Sequence, residues 1–334
     1  MKGITHNPAI FLLLLLSLVS GGCSAKVLAP QTAPQRPGQH KMSLLVDGLE
    51  RSFIVYLPAA YDGKTLLPVV MMLHGGGGSA KASKWETGWA DKADTAGFIA
   101  VFPNAAARNP ERRSSFAWNP QLWNDGSNRF YPDQKTVDDV HFLEVLIDTI
   151  TESFAVDSHR VFVTGFSNGA SMSFLAAARL SEKIAAVAPV AGACWIEPGD
   201  IEPPVALLYI TGTDDPLNLI EGGAPRLANG NSDAVRSKPK PPVMESIQKW
   251  VLALKLTAQP LQTKTENGVT TQIYRSGNRS SGDRNREVRY VAVEGLGHTW
   301  AGGRSILPES MVGATTDKIN ATDVIWEFFQ KHGR

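Results

Sequence analysis

Arg160-Val161-Phe162-Val163-Thr164-Gly165-Phe166-Ser167-Asn168-Gly169 is the stretch on which the reading of this chain turns. Its first five residues form a short apolar run of strand type, and its last five read G-x-S-x-G. Ala170 to Leu180 follows, rich in helix formers and free of Gly and Pro, so the serine sits between a predicted strand and a predicted helix. A serine on so sharp a turn projects its hydroxyl beyond the sheet edge, and glycines two residues to either side remove the Cβ atoms that would collide there. Ser167 is therefore the candidate nucleophile. The helix that starts after it points unpaired N–H groups and a positive dipole end at the same place.

Outward from this stretch the apolar runs alternate with helical patterns. Val69–Leu73 and Phe98–Phe102 are continuous apolar runs, as strands buried on both faces of a parallel sheet require, with a helix predicted between them over Trp85–Ala96. A helix over His141–Phe154 precedes the quoted strand. Strands over Ala185–Val190 and Val205–Thr211, a helix over Met244–Leu254, a strand over Val288–Val293 and a helix over Ile319–His332 follow the serine helix. This pattern predicts one doubly wound, mostly parallel α/β sheet with helices on both faces. Asp47-Gly48 joins two predicted strands, Ser43–Val46 and Ser52–Leu57, as a hairpin. Thr270–Tyr274 is expected to pair with Val288–Val293 in the same way. Two long connections interrupt the alternation, 105–135 and 217–242, and loops of that length commonly roof a site. The first carries Trp118 and Trp123, of which at least one is a candidate for substrate contact.

The chain has 334 residues, 43% of them hydrophobic, and Lys plus Arg (33) nearly balances Asp plus Glu (32). That balance argues against nucleic acid or an anionic membrane surface as partner. Lys2 followed by the apolar run Ile10–Val19 is predicted to be a signal peptide over residues 1–23. Ser20-Gly21-Gly22-Cys23 is similar to a bacterial lipobox, with Ser20 where that pattern prefers leucine. Lipidation at Cys23 and an envelope or secreted location, in a bacterial periplasm or at an outer membrane, are the resulting expectations. Residues 24–41 are Pro-, Gln-, Ala- and Lys-rich and read as a flexible tether, which leaves 42–334 as the catalytic domain. The remaining cysteine, Cys194, ends an apolar stretch, as a buried free thiol does. Two cysteines and histidines without H-E-x-x-H spacing give no support to a metal site.

A serine hydroxyl needs a base to accept its proton, and the base needs an acid. Where a G-x-S-x-G turn carries the nucleophile, acid and base follow it in chain order. After Ser167 the histidines are His298 and His332. His298 follows a predicted strand and His332 sits near the end of the last helix, so His298 is the better base. Asp214 and Asp215 follow the strand 205–211, and either could be the acid. The oxyanion is expected to lie between the N–H of Asn168 and an N–H of the loop His74-Gly75-Gly76-Gly77-Gly78, with Gly75 and Gly76 the candidate donors. His74 precedes the serine, breaks the triad order, and is read as orienting that loop.

Gly165-Phe166-Ser167-Asn168-Gly169, His74–Gly78, Gly212-Thr213-Asp214-Asp215-Pro216-Leu217-Asn218 and Gly295-Leu296-Gly297-His298-Thr299-Trp300 together resemble the esterase and polyhydroxybutyrate depolymerase family of α/β-hydrolases. Feruloyl and acetylxylan esterases belong to it. Val137-Asp138-Asp139-Val140 and Val156–Val161 match its spacing as well, and the similarity runs from about Leu44 to Phe329. The resemblance implies Ser167 as nucleophile, Asp215 as acid, His298 as base, and Trp300 beside the site. It also implies a serine carboxylesterase without cofactor, acting on feruloyl or acetyl esters or on short hydroxyacid polyesters and oligomers. Two departures stand out. Asp125-Gly126-Ser127 occupies the place where many members carry a cysteine pair just after the Trp-Asn that matches Trp123-Asn124, and Ala301 replaces a usual proline. A peptidase of the same fold and a non-catalytic envelope lipoprotein are the competing readings.

Overall fold

Asp47 and Gly48 both take positive φ, 51° and 79°, the backbone of a two-residue hairpin turn that matches strand twist. They join β1 (Gly38–Val46) to β2 (Leu49–Leu57), which pair antiparallel along their whole length. The computed structural model in which this is seen describes residues 35–129, 137–199, 201–226, 238–276 and 284–333. The expected signal segment 1–23 with Cys23, and the expected tether up to residue 34, lie outside the described residues. β1 starts at Gly38, ahead of the expected Ser43, because its leading residues Gln39, His40 and Lys41 belong to an edge strand that keeps one face in water.

The remaining strands are β3 (Leu67–Leu73), β4 (Ile99–Pro103), β5 (Val156–Phe166), β6 (Ala186–Val190), β7 (Ala206–Gly212), β8 (Gln262–Glu266), β9 (Val269–Arg275) and β10 (Glu287–Val293). They form one ten-stranded sheet in the order β1-β2-β4-β3-β5-β6-β7-β10-β9-β8. From β4 to β10 neighbours are parallel, and antiparallel strands flank that block on both sides. Side chains of the parallel strands are almost wholly buried, as their apolar runs predict.

Helices α1 (Ala80–Thr87), α2 (Trp89–Ala96) and α7 (Ala321–Phe329) cover one face, where Phe162 stacks on Phe329 at 4.7 Å. Helices α3 (Asp139–Ser153), α4 (Asn168–Arg179) and α5 (Val243–Ala253) cover the other, around Phe142, Phe174 and Trp250. The helix expected over Trp85–Ala96 is two helices. Gly88 at φ 68° ends α1 and starts α2 in one left-handed residue, a common helix terminator. β8 was not expected, since Gln-Thr-Lys-Thr-Glu has no apolar residue and is exposed throughout. It joins the sheet through the Asn267-Gly268 turn, with φ values of 50° and 72°. A short helix, α6 (Glu309–Val312), precedes α7.

The chain reverses direction across the sheet at β3. β4, next in sequence, lies on one side of it, and β5 lies on the other. The loops after β3 and β5 therefore diverge and leave a crevice at the strand carboxyl ends, the usual ligand position in open α/β sheets.

Candidate active site

Ser167 takes φ 56° and ψ −115°, a strained conformation for a residue with a Cβ. Its surroundings hold it there. Its N–H donates to Val190 O at 2.9 Å, and its carbonyl accepts from Ser171 N at 3.1 Å. A Cβ on Gly165 would lie 2.3 Å from Gly169 O, and one on Gly169 would lie 2.3 Å from Leu73 O and 2.4 Å from His74 O. Both glycines are thus required by close backbone approach.

β7 and β10 are parallel neighbours whose ends face each other, Gly212 opposite Val293. Asp215 leaves the first and His298 the second. His298 N is held by Val312 O, and Asp214 N donates to Leu296 O at 3.1 Å, so the two loops are tied together. His298 Nε2 lies 2.8 Å from Ser167 Oγ, and its Nδ1 lies 2.8 Å from Asp215 Oδ2. With a carboxylate at Nδ1, that nitrogen carries the proton and Nε2 is left to accept from the serine hydroxyl. Asp215 Oδ1 accepts two backbone N–H bonds, from Leu217 and Asn218, both 2.7 Å. Burial pushes the Asp215 carboxyl up, but His298, Lys240 and the Leu217 N–H together hold it below the usual carboxylate range. Asp214 instead accepts from its neighbour Thr213 on the exposed side of the turn.

The glycine loop lies against the serine. Cβ atoms on Gly75 and Gly76 would come within 3.5 Å of Ser167 Cβ and 3.6 Å of Asn168 Cβ respectively. Among the described residues the backbone N–H groups of Gly75, Gly76 and Asn168 donate to no partner, whereas Gly77 N donates to Gln121 O and Gly78 N to Gly75 O. Unpaired N–H groups beside a nucleophile are what a developing oxyanion uses. His74 braces the loop. Its Nδ1 lies 2.7 Å from Gly75 O, and its Nε2 accepts from Ala105 N at 3.0 Å. A carbonyl at one nitrogen and an N–H donor at the other specify the neutral ring, and burial pulls His74 down to about 4.

Of the tryptophans read as substrate-side, Trp300 lines a pocket that opens on His298, together with Gly75, Gly76 and Phe166. Trp123 does not face substrate. It is 1% exposed, its Nε1–H donates to His74 O at 3.0 Å, and its N–H donates to Asn168 Oδ1 at 2.8 Å. An indole N–H buried in this way is satisfied by the loop it supports. Trp118 is 90% exposed and borders a shallow groove with Arg108 to Arg112, outside the His298 pocket.

Several residues of the site carried no separate signal in the sequence. Asp125, in the segment without the cysteines that the family resemblance leads one to expect, accepts from Asn168 Nδ2 at 2.8 Å and from Ser127 N at 3.0 Å, tying the loop to the residue after Ser167. Burial pushes its carboxyl up. Asp139 pairs with Arg51 at 2.6 Å and accepts from Asn124 N at 2.7 Å, anchoring the same loop from behind. Lys240 Nζ donates to Asn218 Oδ1 at 3.0 Å, and burial pulls its ammonium down to about 8. Asp125 and Lys240 lie inside long irregular segments, with no periodicity from which such contacts could be read, and Asp139, at the start of α3 and in the quoted Val137-Asp138-Asp139-Val140 match, gave no pointer to its partners. Cys194 is a buried free thiol, pushed up to about 12 by burial.

Residues 62–208 match a family model described as Phospholipase/Carboxylesterase. A protein of Nocardia uniformis subsp. tsuyamanensis named provisionally as an esterase, NocK, is 26% identical over 98% of this chain and 99% of its own length. Feruloyl esterase B of Piromyces equi is 32% identical over 54% of this chain, a match that spans 32% of that enzyme. Among solved structures, an acetyl xylan esterase from Aspergillus awamori superposes with TM-score 0.54 at 14% identity, covering 87% of this chain and 99% of the other, which establishes the shared fold. The chain has the α/β-hydrolase fold, is similar in sequence to esterases of that fold, and is an enzyme acting on carboxylic ester bonds.

Proposed function

We propose that the enzyme hydrolyses feruloyl- or acetyl-type esters, or esters of short hydroxyacids, through an acyl-enzyme on Ser167. The observation that carries this reading is the continuous relay from Ser167 through His298 to Asp215, two contacts of 2.8 Å at the strained end of β5. In the first half-reaction Ser167 Oγ attacks the carbonyl carbon as its proton passes to His298 Nε2. The carbonyl oxygen becomes an oxyanion held by the N–H of Asn168 and of Gly75 or Gly76, while Asp215 stabilises the imidazolium. His298 then protonates the departing alkoxide. Water, deprotonated by His298, attacks the acyl-serine, and collapse of the second tetrahedral species frees the acid and restores the serine hydroxyl.

Ser167→Ala tests this directly. Loss of turnover by about 10⁴-fold or more is expected on methyl ferulate, short nitrophenyl esters, acetylated xylan or polyhydroxybutyrate, whichever the wild type cleaves. An unchanged rate overturns the assignment. The same panel ranks the substrate classes. The feruloyl esterase, acetylxylan esterase and poly(3-hydroxyalkanoate) depolymerase among the relatives support all three.

The folded part of the chain, in which residues 38–41 of the expected tether already pair in β1, is proposed to act as the catalytic domain, released or anchored through a lipidated Cys23. The apolar run and the small residues before Cys23 support that placement. Mass spectrometry of the native N-terminus decides it: a lipid-modified Cys23 is expected, and an unmodified terminus at another residue shows free secretion.

A further inference from the structure

The pocket that opens on His298 runs away from the nucleophile between the glycine loop, the end of α1 and the segment 304–307. Its apolar surface comes from Met72, Phe116, Phe166, Trp300, Ile306 and Leu307. Glu86 is the one carboxyl in this lining, and the triad has no use for it.

Its position is rigid. Glu86 lies in the last turn of α1, where Thr87 Oγ1 donates to Ser83 O at 2.7 Å and Thr322 Oγ1 donates to Thr87 O at 2.6 Å. The backbone carbonyl of Glu86 accepts from Arg304 N at 2.9 Å, and a Cβ on Gly303 would lie 2.4 Å from that oxygen. The side chain is otherwise little engaged. Burial lifts its carboxyl above the ordinary range, against the one backbone N–H, of Ile306, that stabilises the charged form. Among the described residues no cationic side chain pairs with it; the guanidinium of Arg304 instead lies over the Trp85 ring, 5.4 Å from its centroid. A carboxylate offers about four acceptor sites, so most of its hydrogen-bonding capacity is open toward the pocket.

The pocket's place relative to the relay says which half of an ester enters it. His298 Nε2 must hand its proton to the leaving alkoxide, so the alcohol half lies against His298 and continues into the pocket beyond Thr299 and Trp300. Aromatic and aliphatic walls with a single half-buried carboxyl suit a group that carries C–H faces and hydroxyls together. We propose that Glu86 forms a hydroxyl-binding subsite for the alcohol half of the substrate, selecting esters of sugars or other polyols over esters of plain alcohols. This rests on the esterase reading above and adds to it the class of leaving group.

The test compares methyl 6-O-acetylglucopyranoside with cyclohexylmethyl acetate, esters of the same shape with and without ring hydroxyls, in wild type and Glu86→Leu. A second pair, methyl 3-hydroxybutyrate and methyl butyrate, places the hydroxyl in the acyl half. In Glu86→Leu, kcat/KM for the acetylglucoside is expected to fall on the order of tenfold to a hundredfold, with cyclohexylmethyl acetate changed by less than about twofold. Glu86→Gln, which keeps the shape and one acceptor oxygen, is expected to show a smaller loss confined to the acetylglucoside, and it serves alone if the leucine variant does not fold. Equal losses on both alcohols, no selective loss in either variant, or selective loss on the hydroxybutyrate pair overturns the proposal. Wild-type inertness toward all four esters overturns the subsite, and inertness that extends to methyl ferulate overturns the esterase reading as well.

Discussion

Asp214 and Asp215 are adjacent carboxylates in one turn, and their surroundings separate them completely. Asp215 is 2% exposed and receives His298 Nδ1 and two backbone N–H groups, whereas among the described residues the exposed carboxylate of Asp214 meets only the hydroxyl of Thr213. Asp215→Asn removes the charge that stabilises the imidazolium and disturbs the tautomer of His298, so kcat should drop by about 10³- to 10⁴-fold. Asp214→Asn should stay within a few-fold of wild type. Parallel steady-state kinetics on the two variants provide the check, and the reverse pattern would exchange their roles. Asn218 extends the support of Asp215: its N–H donates to the carboxylate, its Nδ2–H₂ to Tyr209 OH at 3.3 Å, and its Oδ1 accepts from Lys240. The acid is thereby bound to the buried tyrosine whose hydroxyl donates to Gly192 O, and a Cβ on Gly192 would lie 2.7 Å from Ser167 O.

The turn from β5 into α4 works because backbone replaces side chain at its closest points. Gly169 sits in the first turn of α4, with Leu73 O and His74 O where a methyl group would go. Gly169→Ala must push α4 away from the end of β3, which displaces Asn168 N and the His74 carbonyl together. A destabilisation of about 2–4 kcal/mol is expected from overpacking against rigid backbone, with a loss of kcat larger than the loss of stability would explain. Urea denaturation and kinetics on the folded variant measure the two separately. Ala at Gly88 makes a useful contrast: nothing lies within 4 Å of a Cβ there, but φ is 68°. Its cost is the backbone strain alone, on the order of 1 kcal/mol, with turnover unaffected.

His74 connects distant parts of the molecule, joining the loop after β3 to Ala105 beyond β4 and, through its carbonyl, to Trp123. Its neutral form is built into the fold, which couples stability to pH. The folded pKa is depressed from 6.5 to about 4. Between those values the unfolded chain binds a proton that the native state refuses, so stability falls as pH drops through that window, by about 3 kcal/mol in total. His141 acts in the opposite direction: paired with Asp47, its pKa is raised, and because it is partly exposed its contribution is small. Urea midpoints at pH 7 and pH 4.5 should show the loss. His74→Gln, which keeps a donor and an acceptor but does not titrate, should flatten the dependence, and an equal slope in the variant would move its origin elsewhere.

The amino-acid order by itself determined the sheet's parallel block and the turn at Ser167, and motif resemblance added Asp215 and His298, the pair the fold brings to Ser167. These features are local or periodic: apolar runs must be buried on both faces, and a serine between two required glycines has few other conformations. Only the tertiary structure decided what the long connections do. Trp123 reads as a substrate-facing aromatic by its loop, yet it is buried beneath the glycine loop because the carbonyl of His74 and the side chain of Asn168 satisfy its two N–H groups. Asp125 and Lys240 lie in segments without periodicity and Glu86 near the end of a short helix, and each acquires its environment from residues far away in the chain. β8 pairs through backbone hydrogen bonds that its polar side chains do not advertise. Spacing along the chain specifies which backbone shape is affordable at a position, whereas burial, charge and hydrogen-bond partners depend on which segments meet, and that is settled by packing alone.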